Sequence, residues 1–147
     1  MLANQTRFAQ TEIGLRVTTS SHLCYCVRMS TVNVGNKGED LACKYLRNLG
    51  YKIVERNYRI RGGEIDIVCK DGNILVFVEV KARNSYEYGL PVESMTPWKI
   101  RYLKRCALFY IVQSGWGNGP YRIDFISIDF AGSKDHPKIE LIKNITQ

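Results

Sequence analysis

The chain has 147 residues, 45% of them hydrophobic and 24% charged, which fits one domain with a single core and excludes global disorder. No apolar run approaches the roughly 20 residues of a transmembrane helix. No continuous apolar core follows a basic start near the N-terminus, so neither a membrane partner nor a signal peptide is expected and the cytoplasm is the expected location. The formal net charge of +7 favours a polyanionic partner, but it acquires meaning only where the charge clusters.

Residues 1–33 are rich in Ser, Thr, Asn and Gln and hold no sustained period, so they read as a flexible tail before a domain spanning 34–147. His22, Cys24 and Cys26 alternate in that tail, but a zinc site needs a fourth ligand and none is at a suitable spacing. Cys43, Cys69 and Cys106 each fall within an apolar pattern, as small buried residues of a reducing compartment do. The first helix is expected from Lys37 to Leu49, with Leu41, Ala42, Tyr45, Leu46 and Leu49 as its apolar stripe, Asn36 as cap and Gly50 closing it. Strand-like runs follow at Tyr51–Arg59, Glu64–Val68 and Asn73–Ala82, the last two joined by an Asp71-Gly72 hairpin signal. Residues 83–95 read as a loop. A second helix starts at Thr96-Pro97, buries Ile100, Leu103, Ala107, Tyr110 and Ile111, and ends in the glycines from Gly115 to Gly119. Tyr121–Ile128 is a strand with apolar residues on both faces, and Ile139–Ile142 a short strand that can pair with it. The order is α-β-β-β-α-β with one further strand.

Side chains alternate along a strand, so Phe77, Glu79 and Lys81 share a face opposite Val76, Val78 and Val80. Phe77 indicates that this face is partly covered, and charge on a covered face needs a reason. Asp66 offers one. On the neighbouring strand Glu64, Asp66 and Val68 are expected on one face and Ile65 and Ile67 on the other, so Asp66 and Glu79 can approach. Two close carboxylates repel, and a divalent cation relieves the repulsion; magnesium suits a site of few carboxylates and several waters. Lys81 could then stabilise an attacking hydroxide or charge developing on phosphate. The alternative is an ordinary cross-strand ion pair on a wet face. Glu39 falls on the inward helix face with Ala42 and Leu46, where it can reach the sheet, or it closes a capping box with Asn36. Asp40 is expected outward with Lys44 and Arg47, away from the sheet.

Basic residues fall into two groups suited to phosphate: Arg56, Arg59 and Arg61 leading into the Asp66 strand, and Lys99, Arg101, Lys104 and Arg105 on the second helix. A merely solvated helix face is the alternative for the latter.

These blocks carry a resemblance. Gly38-Glu39 with Ala42 and Leu46, Gly50-Tyr51, Arg56-Asn57-Tyr58-Arg59, Gly63-Glu64-Ile65-Asp66-Ile67 and Phe77-Val78-Glu79-Val80-Lys81-Ala82-Arg83 resemble, in this order, the YraN-like family of bacterial proteins, predicted members of the PD-(D/E)XK nuclease superfamily. Lys99 and Arg122-Ile123-Asp124 also look like family positions. The resemblance covers about residues 35–130. It implies a restriction-endonuclease-like α/β fold, an αβββαβ core with a mixed central sheet flanked by helices, similar to that of archaeal Holliday-junction resolvases. By the same resemblance Glu39, Asp66 and Glu79 are metal-linked acids and Lys81 the catalytic lysine. The superfamily's proline before the aspartate is absent, since Ile65 precedes Asp66, and the tail has no counterpart.

The function expected is a magnesium- or manganese-dependent endonuclease that hydrolyses phosphodiester bonds in DNA, branched or structured DNA included. The runner-up is a nucleic-acid-binding module that keeps the fold without turnover, and the third reading an interaction protein whose basic helix meets an acidic partner. By analogy, cutting two strands with one core each would favour a homodimer.

Overall fold

Two apolar faces, one on each side of a single sheet, decide the architecture. The computed structural model describes residues 21–84, 94–133 and 136–146, with side chains from residue 35 onward. Its elements are α1 (Ser21–Asn48), β1 (Lys52–Ile60), β2 (Gly63–Asp71), β3 (Ile74–Arg83), α2 (Pro97–Ser114), β4 (Tyr121–Asp129) and β5 (Lys138–Ile142). The strands form one sheet in the order β1-β2-β3-β4-β5. Neighbours are antiparallel except β3 and β4, which are parallel and need the α2 crossover between them. The sheet is therefore mixed and the core αβββαβ, with β5 added at the edge.

α1 begins at Ser21, well before the expected Lys37, and Asn36 lies inside it rather than at its cap. No proline interrupts Ser21–Asn36, and a helix once nucleated gains one bond for each residue added, so the local capping pattern does not stop it. Residues 1–20 of the expected tail, the side chains of His22, Cys24 and Cys26, and residues 85–93 of the expected loop lie outside the described residues. Among the described residues no helix is long and apolar enough to cross a membrane. The other boundaries follow local chemistry. Gly50 ends α1 at φ 89°. Thr96 accepts the Lys99 N–H at 3.2 Å, and Gly115 closes α2 in the left-handed region.

α1 covers one face with Ala42 and Leu46 against Ile67, Val76, Val78, Ile126 and Ile128. α2 covers the other with Leu103, Ala107 and Tyr110 against Tyr58, Ile65, Phe77 and Ile123. Cys43, Cys69 and Cys106 are buried free thiols within these layers. At the hairpin end of the sheet Arg122 binds the fully buried Asp124 through Nε at 3.0 Å and both Tyr51 (2.9 Å) and Asp71 (2.8 Å) through Nη2. That clamp leaves the opposite end of β3 as the free rim.

Gly38 sets how closely α1 sits on that rim. A Cβ there would stand 2.5 Å from the Ala82 Cβ, inside any normal contact. In an open helix Gly→Ala gains about 1 kcal/mol. Here Gly38→Ala should instead destabilise by roughly 1–3 kcal/mol, because neither methyl group can rotate away. Ala82→Gly in the same chain should restore part of the loss. Chemical denaturation of the single and double variants checks this, and additive effects would show that the contact does not set the α1–β3 distance.

Candidate active site

The site forms where the β2–β3 ladder stops. Pairing runs from Asp71↔Ile74 to Ile67↔Val78 and goes no further, although both strands continue. Beyond that point the Val80 N–H, a ladder donor, bonds to the Asp66 carboxylate Oδ2 at 2.7 Å. On the other side of β2, Arg56 pairs with Ile67 and Tyr58 with Ile65, while Asn57, between them, adopts φ 54°. Asn is among the few residues that take this left-handed conformation without large strain.

This irregularity corrects one expectation. Ile65 and Ile67 do not share a face: Ile65 packs under α2 and Ile67 under α1. Strict alternation fails because the Asn57 turn-over reverses the faces of both paired strands at Asp66. β3 stays regular, so Phe77 and Glu79 both face α2 as expected, and Lys81 follows at the same alternation.

Glu79 is buried, with 8% of its surface exposed. Its Oε1 pairs with the Lys99 ammonium at 2.8 Å, and its Oε2 is buried with no hydrogen-bond partner. Such an orphan carboxylate oxygen costs free energy that an ordinary cross-strand pair would not leave. Burial pushes the Glu79 pKa up, opposed by Lys99 and then Lys81. Asp66 is pushed up to about 7, by burial first and the Glu79 charge second, with the Val80 N–H pulling the other way and Glu39 adding repulsion. Burial works against the charge on Lys99, but its bond to Glu79 prevails and its pKa is raised.

Glu39 reaches this group from α1. Its Oε2 accepts the Asn57 amide at 3.0 Å and lies 3.7 Å from Arg56 Nη2. Its link with Asp66 is electrostatic. Asp40, expected outward, is exposed, and the long Arg56 guanidinium on the edge strand β1 reaches it at 2.8 Å. Glu39, Asp66, Glu79 and Lys81 are thus brought to one end of the sheet. Among the described residues, though, no three His, Cys, Asp or Glu side chains form a ready metal cage.

The basic residues divide differently from their sequence clusters. Lys99 turns inward onto Glu79, while Arg101, Lys104 and Arg105 are exposed on α2. Arg105 also donates to the Gly62 carbonyl at 2.6 Å. Arg56 is held by Asp40, Arg59 pairs with Glu64 at 3.5 Å, and Arg61 is exposed in the β1–β2 turn. Sequence reasoning missed a groove of about 550 Å³ beside α1, where Lys37, Lys44, Arg47 and Arg56 face one acid, Asp40. Lys37, Lys44 and Arg47 are separated at helical spacing, and no motif flags them.

Residues 38–128 match the pattern described as "Uncharacterised protein family UPF0102". A UPF0102 protein of Geobacter sulfurreducens, GSU0650, is 47% identical over 111 residues, 76% of this chain and 86% of that protein. One from Caldicellulosiruptor saccharolyticus is 40% identical over 116 residues, covering 79% and 98%. One from Clostridium botulinum is 41% identical over 116 residues, covering 78% and 94%. The resemblance read from the motif blocks is borne out over nearly the same span.

The raised Asp66 pKa has a definite sign in stability. The folded state holds the proton more tightly than the unfolded chain, whose Asp titrates near 3.9. Asp66 therefore costs stability progressively as pH rises from about 4 to about 7, and the full cost is present above 7. Asp66→Asn keeps an oxygen for the Val80 N–H and removes the charge. In metal-free buffer it should be more stable than the parent by roughly 1–3 kcal/mol at pH 8, with the gain vanishing near pH 4. Denaturant midpoints at both pH values check this; a loss at pH 8 would mean that the Asp66 charge stabilises the fold as an ordinary ion-pair partner.

Proposed function

The chain belongs to the uncharacterised protein family UPF0102, and from that premise we propose that it is a metal-dependent endonuclease hydrolysing phosphodiester bonds in DNA, branched or otherwise structured DNA included. The observation that carries this is the buried Glu79 carboxylate with an unpartnered Oε2, next to an Asp66 whose own charge is disfavoured. Two hard oxygen donors suit magnesium or manganese, because magnesium uses one or two carboxylates and keeps several waters. That donor set needs no complete protein cage, in keeping with the lack of one among the described residues.

Asp66 and Glu79 would hold the cation, with Glu39 as an outer acid. Bound there, a divalent ion supplies an activated water and polarises a phosphoryl oxygen. The chain's own residues supply the rest. The Val80 N–H fixes Asp66 in place. Lys99 neutralises one oxygen of Glu79 and leaves the other for the ion. Lys81 shares the Glu79 face and offers positive charge to the phosphate as it becomes more negative in the transition state. The exposed cations of α2 and the groove beside α1 offer tracks for the flanking phosphates.

The same Lys99–Glu79 pair supports the second reading, a DNA-binding module without turnover, because an ammonium already satisfies part of the carboxylate charge. Calorimetric magnesium titration beside cleavage of linear, single-stranded and branched DNA separates the two. The parent should bind magnesium and cut; Glu79→Gln should lose both. Lys81→Ala should keep magnesium and lose turnover by roughly a hundredfold or more. A parent that binds DNA but no magnesium, with or without DNA, leaves the binding module as the function.

A further inference from the structure

Trp98 is 64% exposed on the first turn of α2, although a tryptophan so placed forfeits much of the burial that makes the residue stabilising. Its ring stacks on Tyr102, with centroids 5.4 Å apart and planes 24° from parallel. Tyr102 is itself fixed: its hydroxyl accepts the Glu64 N–H at 3.0 Å, and the Arg105 guanidinium lies 5.7 Å from its ring centre. Trp98 and Tyr102 line an open cleft of about 430 Å³ together with Gly62, Arg101 and Arg105. Among the described residues no acidic side chain lines it. Arg105 is anchored on the Gly62 carbonyl, which holds it in the wall of the cleft. Arg101 has no ion pair among the described residues. Lys99, the residue after Trp98, is bonded to Glu79, so the cleft opens beside the carboxylates.

We propose that this cleft is a binding site for one unpaired nucleobase, stacked on Trp98 with its phosphate on Arg101 and Arg105. The inference rests on the nuclease reading for its biological sense, and it narrows the substrate class. The flat faces of a base in a duplex are covered by its neighbours, whereas a base at an end, flap, loop or branch point has a face free to stack. Aromatic stacking is tolerant of base identity, because every base has a π-face, and arginines beside it neutralise the backbone. The cleft therefore selects nucleic acid by the presence of an unpaired nucleotide near the cut, not by sequence.

The test uses the full chain carrying Asp66→Asn, without metal, so that turnover does not interfere. Its ligands are a single-stranded oligothymidine, an abasic strand with the same number of phosphates, a blunt duplex and a polyglutamate peptide. Anisotropy of labelled ligands gives affinity, and intrinsic tryptophan emission reports the cleft. The second tryptophan, Trp116, is covered by the Lys70 ammonium at 4.6 Å, and a Trp98→Phe variant separates its signal. Oligothymidine should quench the Trp98 emission and bind on the order of tenfold more tightly than the abasic strand. Trp98→Ala should weaken oligothymidine on the order of tenfold, leave the duplex unchanged, and be largely rescued by Trp98→Phe. Equal quenching by the abasic strand, equal loss across all ligands, or no binding of oligothymidine would overturn the stacking site. Quenching by polyglutamate that matches oligothymidine would assign the cleft to an acidic protein instead. The nuclease reading fails separately: a parent that stacks oligothymidine through Trp98 but neither binds magnesium nor cuts DNA leaves this site standing without it. A parent that cuts while Trp98→Ala binds every ligand as before leaves the nuclease without this site.

Discussion

A single hydrogen bond, from the Val80 N–H to the Asp66 carboxylate, marks where two strands cease to be a sheet and become a site. Had Asp66 continued the ladder, its side chain would alternate with those of Ile65 and Ile67 and its backbone would satisfy β3. Instead the pairing ends at Ile67↔Val78, and a side chain takes over the duty of a backbone carbonyl. A buried N–H must find an acceptor. The strands can part only because Asp66 supplies one, and the gap they leave is where Glu79, Lys81 and the reach of Glu39 converge. Substitution of Asp66 by an apolar residue would therefore remove a buried carboxylate and a fold contact at once, whereas Asn separates the two.

The charge pattern around the gap follows from the layers. α1 closes one side and contributes acids, Glu39 and Asp40; α2 closes the other and contributes the cation Lys99. The sheet between them carries the two carboxylates that lack full compensation. Lys99 offsets one oxygen of Glu79, and the Val80 N–H one oxygen of Asp66, but burial keeps both pKa values high, with the Glu79 charge adding to it at Asp66. Packing energy from the two apolar layers, at about 1.5–3 kcal/mol for each fully buried large side chain, is ample to hold such a pair together. The Arg122 clamp ties β4 to the far end of β2 through Asp71, opposite the carboxylate pair.

Much of this was legible in the sequence. The αβββαβ order, the Asp71-Gly72 turn, the Thr96-Pro97 start and the shared face of Phe77 and Glu79 all follow from local rules of period and turn chemistry. The start of α1 was not legible, because Asn36-x-x-Glu39 satisfies the local rule for a cap while the helix simply continues through it. The face of Ile65 was missed for a related reason: alternation holds until one residue leaves the β region, and Asn57 gives no advance sign that it is that residue. Asp40 does lie outward beside Lys44 and Arg47, but its partner Arg56 was not foreseen, and Lys99 was grouped with the basic face of α2, because helical spacing fixes direction but not reach; an arginine on β1 and a lysine at the foot of α2 are long enough to cross between layers. Trp98 and Tyr102 lie four positions apart and so are visibly stackable, but only the fold brings Gly62 and the arginines around them.

Trp98 and Lys99 are consecutive on α2, so one helix turn fixes both the cleft and the cation on Glu79. Their side chains leave the helix about 100° apart, one outward along the surface and the other into the carboxylate pair. A ligand that stacked on Trp98 would press on the same turn whose Thr96 cap and Pro97 set the position of Lys99. Any displacement of Lys99 from Glu79 would strengthen the demand of that carboxylate for another cation.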